Sequence, residues 1–145
     1  MGTRSTYRFI EQYKNESNEV TESAIALVYF QYDGYPSGHP SETAEWLASG
    51  KVVNGYGNTD ELQFNGMGCL IAQFIAKYKA GVGGVYVNRL DSRGQSWEDY
   101  LYDIILKEDG KLEFVCYENN EEPLEIFRGE PSEFVAKYQR KEQEA

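Results

Sequence analysis

Histidine is almost missing from this chain: His39 is the only one among 145 residues. The two cysteines, Cys69 and Cys116, stand far apart and in no CxxC or Cys/His spacing. A structural zinc site needs about four such ligands, so none is expected. A Ser-His-Asp arrangement would have to use His39, which lies beside Pro40 at a helix start, where capping is the simpler role. Long apolar runs are also lacking. The longest, residues 24–30, falls far short of the ~20 residues of a membrane-spanning helix. No apolar signal region stands at the start, so a cytoplasmic protein without membrane contact is expected. Met1-Gly2-Thr3-Arg4-Ser5-Thr6 fits the loose N-myristoylation pattern, which is short and matched often by chance. Basic residues are scarce, with 14 Lys and Arg against 24 Asp and Glu and a net charge of -10. Phosphate backbones are bound by basic surfaces, which disfavours direct nucleic-acid binding. The acid excess reads either as a solvated shell or as a surface that meets a basic partner.

Aromatic residues are plentiful: 12 Tyr, 7 Phe and 2 Trp. A disordered chain would not carry them, and the length suits one domain with a real core. The expected division is a single domain over 1–138 and a charged, frayed tail over 139–145.

Residues 6–13 alternate, with Tyr7, Phe9 and Tyr13 on one face and Arg8, Ile10 and Gln12 on the other, as a strand does. Residues 14–23 are polar and read as a loop. Residues 24–32 form a nearly continuous apolar run, which fits a central strand paired with the first in a hairpin. A short helix is predicted over 41–49, capped by Ser41 or His39, ended by Gly50, and burying Trp46 and Leu47. Residues 52–65 read as a loop. Met67, Leu70, Ile71, Phe74, Ile75 and Tyr78 then share one stripe of a helix. Strands are predicted over 85–90, 100–106, 112–117 and 124–127, with a hairpin turn at Asp109-Gly110. Pro131 opens a last helix. The whole reads as α+β: a largely antiparallel sheet of five to six strands with two to three helices packed on one face.

Three segments could carry binding chemistry. Phe64-Asn65-Gly66-Met67-Gly68-Cys69 enters the strongest helix through two glycines. Free N–H groups there could hold phosphate or carboxylate, or the glycines could serve only close packing on the sheet. It is neither GxGxxG after a strand nor GxxxxGK[ST], so no cofactor is implied. In Gln31-Tyr32-Asp33-Gly34-Tyr35-Pro36, Tyr32 or Tyr35 could stack on a base and Asp33 could accept hydrogen bonds, unless the segment is only a turn. In Gly2-Thr3-Arg4-Ser5-Thr6, Arg4 could fork onto an anion at a sheet end. The candidate ligand-binding residues are therefore Arg4, Tyr32, Asp33, Tyr35, Asn65, Gly66 and Gly68. No catalytic or metal-ligating set is assigned; Cys69 with His39, or scattered carboxylates, are the only enzymatic options. Glu118, Glu121, Glu122 and Glu125 cluster on a hydrophilic connection, as a solvated face or an acidic contact patch.

The same three segments resemble the signatures of a small-protein family of bacteriophages, large DNA viruses and some bacteria. The similarity covers the stretch ending near Leu90. It implies a viral or prophage origin and no settled activity. Where that family has a glycine near the start of the short helix, this chain has His39. The expectation is a non-enzymatic accessory protein that binds a small anionic ligand, a nucleotide or nucleotide-derived signal, as a counter-defence sponge. The alternative is an acidic inhibitor of a basic host protein such as a defence protein, acting as a nucleic-acid mimic. A homodimer would fit exposed edge strands.

Overall fold

The computed structural model describes residues 2–55 and 61–138. Residues 139–145, expected as a frayed tail, lie outside that range, as do Met1 and 56–60. The fold is α+β. The main sheet is built from β1 (Ser5–Lys14), β2 (Val20–Phe30), β5 (Val85–Asn88), β6 (Tyr100–Leu106), β7 (Leu112–Glu118) and β8 (Leu124–Gly129), in the order β5-β2-β1-β6-β7-β8. Every neighbouring pair is antiparallel except β1 and β6, which run parallel. β3 (Lys51–Val53) and β4 (Gln63–Asn65) form a small parallel pair of their own.

Alternation along the strands sorts the core. Tyr7, Phe9, Val28, Phe30, Tyr102, Ile104, Phe114 and Cys116 all face one side. There they meet α1 (His39–Ser49), α2 (Gly66–Tyr78) and α3 (Pro131–Tyr138) through Leu47, Leu70, Phe74 and Phe134. Tyr7 sits at the centre, its ring 4.9 Å from Phe74, 5.2 Å from Tyr102 and 5.3 Å from Phe30. Edge and offset contacts at these spacings add to the gain from area burial.

The opposite face carries Ile10, Ile105 and Val115, with Tyr117 packed against them. It also carries a buried charge. Asp103, 1% exposed, accepts two hydrogen bonds from Arg8 (3.0 and 2.8 Å), one from Arg93 (3.4 Å) and one from the Tyr117 hydroxyl (3.2 Å). The connection 89–99 supplies Arg93 and crosses this face.

Several local expectations need correction. Val20–Ser23 belong to β2, because the hairpin runs past the covered part of the sheet and its polar residues pair with 11–14 while exposed. Residues 52–65 hold two short strands, too brief to show a period. Tyr32 lies beyond the end of β2. α1 begins at His39 with Gly38 as its N-cap and no side-chain cap, so neither Ser41 nor His39 caps it. Leu47 is buried, but Trp46 only partly, its ring 4.9 Å from Phe64.

Candidate functional site

At one end of the sheet β1 and β6 begin while β2 and β7 end. Two of the three candidate segments meet there. Gly34 N donates to the Thr3 carbonyl (2.9 Å), and the Tyr102 hydroxyl donates to the Gly34 carbonyl (2.7 Å). Close approach of neighbouring atoms requires glycine at this junction. A Cβ on Gly2 would come within 2.7 Å of the Gln31 carbonyl, and one on Gly34 would collide with the Ser5 side chain. Asp33 turns the chain in the left-handed region, φ 49°, and its carbonyl accepts from His39 N at 3.1 Å.

Beside this junction lies a concavity of about 520 Å³. Thr3 and Tyr35 come from the candidate segments; Glu98, Asp99, Tyr100, Glu118 and the amides Asn119 and Asn120 complete it. Three of its lining residues are carboxylates and none is Lys or Arg. The electrostatics follow. Burial raises the Tyr100 phenol pKa, and the negative charges of Glu118 and Asp99 raise it further. Glu98 is 4% exposed and structural: its carboxylate accepts from Thr6 Oγ1 (2.7 Å), Gly94 N (2.8 Å) and Ser96 N (2.6 Å). Asp99 is exposed and accepts from Arg4 N at 3.2 Å, and Glu118 is half-buried.

The other candidate residues are spread out. Arg4 follows the alternation of β1 onto the face opposite the helices. There burial raises the Tyr29 phenol pKa and the nearby Arg4 charge opposes that rise. Tyr32, part-exposed, packs on Phe30 and His39 at ring distances of 6.1 and 5.9 Å. Asn65, Gly66 and Gly68 stand at the start of α2, while its last residue, Tyr78, is 6.0 Å from the His39 ring. The helix is about 18 Å long at its ordinary rise, and its glycine-rich start is at the opposite end from Tyr78. The structure brings the first two segments together and holds the third apart.

His39 points into the core. Its Nδ1 and the Tyr7 hydroxyl share a hydrogen bond of 2.8 Å, and the Thr43 and Tyr78 hydroxyls extend the chain at 3.3 and 2.8 Å. Burial pushes the imidazole pKa down to about 3 against the opposing influence of the nearby Tyr32 backbone. Nε2 is buried without a well-formed hydrogen bond. Cys69 is half-buried and donates to Gln73 Oε1 at 3.0 Å. It lies in the first turns of α2, so it forms no pair with His39. Among the described residues no group of three or more His, Cys, Asp or Glu is placed to hold a metal ion, and no helix is long and apolar enough to cross a membrane.

Glu118 stood out in the sequence only as part of an acidic run. Asp99 and Tyr100 gave no signal, because their place beside Thr3 comes from the parallel pairing of β1 with β6. The lining offers carboxylates, phenols and amides, a set suited to holding a cation. No family model, curated protein or solved structure matches the chain.

Proposed function

We propose that this chain is a non-enzymatic binding protein whose acidic concavity receives a cationic side chain of a basic partner protein. The observation that carries this reading is the lining itself: carboxylates at Glu98, Asp99 and Glu118 with no Lys or Arg among them, in a chain of net charge -10. A guanidinium about 4 Å from a carboxylate gains about 1 kcal/mol in water and about 4 kcal/mol near a protein surface. Asp99 and Glu118 can contribute together, and the rings of Tyr35 and Tyr100 offer faces for the same cation. The viral or prophage origin implied by the resemblance would make that partner a host protein. The test is calorimetric titration with a nonaarginine peptide. Asp99→Asn with Glu118→Gln should weaken binding at least tenfold, and added salt should do the same to the wild type. Equal affinity for wild type and double variant would exclude the concavity.

A second reading has one observation in its favour. The start of α2 has no side-chain cap and no acidic residue in its first turn, and Asn65 Oδ1 is occupied by Gly55 N at 2.9 Å. A Cβ on Gly66 or Gly68 would meet nothing within 4 Å among the described residues. This supports a small anion, a nucleotide or nucleotide-derived signal, at the helix start. A ligand held there should raise the melting temperature in a nucleotide screen. A screen without a hit removes this reading.

A further inference from the structure

The connection 89–99 is fastened at almost every point. Glu98 is buried and accepts three hydrogen bonds, two of them from the backbone of Gly94 and Ser96. Asn119 Nδ2 donates to the carbonyls of Glu98 (2.8 Å) and Gly94 (3.3 Å), and Asn119 N donates to the Asp99 carbonyl (3.1 Å). Arg93 is held by Asp103 and lies over the Tyr117 ring at 5.1 Å. Gly94 takes φ 79° to close the turn.

Within this clamp one residue is turned outward. Trp97 is 82% exposed, and its backbone has φ 59°. The left-handed region is costly for a bulky side chain, and a large apolar surface is costly to leave in water. The clamp holds both costs in place. Trp97 immediately precedes Glu98 and Asp99, which line the acidic concavity.

We infer that Trp97 is the anchor of the same interface: it enters an apolar cleft of a basic protein whose arginine or lysine occupies the concavity. This rests on the proposed binding of a cationic group and specifies the partner further, as a basic surface with an apolar recess beside the cation. Charge complementarity selects the partner's sign, and the displayed indole selects the recess. A rigidly presented tryptophan loses little freedom on binding, which is why such residues dominate interface energies.

The experiment uses the full chain with Trp46→Phe, which leaves Trp97 as the sole tryptophan. Two probes are titrated: a nonaarginine peptide, and a dodecapeptide of alternating arginine and leucine. The indole emission should shift to the blue with the arginine-leucine peptide. Measured by calorimetry, Trp97→Ala should weaken that peptide about 30-fold, equivalent to about 2 kcal/mol. Trp97→Phe should recover most of the loss, and the nonaarginine affinity should stay within twofold. Circular dichroism melting of each variant verifies that it folds. If Trp97→Ala binds the arginine-leucine peptide like wild type while Asp99→Asn with Glu118→Gln does not, the anchor is overturned and the acidic site stands. If neither peptide binds the wild type, both are overturned.

Discussion

The His39 imidazole is the clearest titration probe in the molecule, since it is the only histidine and lies 5% exposed against Tyr7 and Phe30. Its folded pKa is about 3, below the ordinary 6.5. As pH falls, the unfolded chain takes up the proton first. The stabilisation is therefore complete above about pH 6.5 and is lost progressively down to about pH 3, at up to about 1.4 kcal/mol per pH unit. The ring resonances should remain those of the neutral form from neutral pH down past the ordinary histidine range. A titration centred near the ordinary value would contradict the burial. Asp103 carries a second prediction. Removing its carboxylate leaves Arg8 and Arg93 without their shared partner on the sheet face. The Arg8 side chain is 30% exposed and can turn toward water, so Asp103→Ala should cost about 3 kcal/mol, the lower end for a broken buried pair. Urea unfolding would measure it, and a midpoint equal to wild type would contradict the role.

Two glycines separate the needs of the elements that carry them. Gly34 lies in the turn between β2 and α1, where a Cβ would collide with Ser5 on β1. Gly34→Ala should lower stability by about 1–3 kcal/mol. Gly68 lies on the exposed side of α2 with open space before it. Gly68→Ala should raise stability by about 0.5–1 kcal/mol through helix propensity. Thermal melting of the two variants should show opposite signs, and the same sign in both would contradict this account of the packing. Such elements were legible where a period was long enough to read. The stripe from Met67 to Tyr78 marked α2, and the alternation of Tyr7 and Phe9 with Arg8 and Ile10 marked β1. β3 and β4, three residues each, and the exposed start of β2 carried no such period. There the tertiary pairing decides the structure, and local composition does not reveal it.

Across the whole molecule, the sequence showed the acid excess and the α+β class but not where the acid converges. That depends on β6 lying parallel to β1, a contact between residues nearly a hundred positions apart that sets Asp99 beside Arg4 and Tyr100 beside Ser5. Arg4 and the Gly66 turn, grouped with the Asp33 turn in sequence, occupy different surfaces: Arg4 lies by Tyr29, and Gly66 begins α2, whose other end is the one that reaches His39. An acidic hollow next to a displayed tryptophan is therefore a product of topology. Its occupancy is tested most directly by nuclear magnetic resonance during titration with the nonaarginine peptide, read at Tyr100, Asn119 and Asn120 and at Gly66 and Gly68. The predicted result is saturable shifts at the first three, suppressed by salt, with the two glycines unmoved. Shifts at the glycines of α2 with none around the hollow would contradict it.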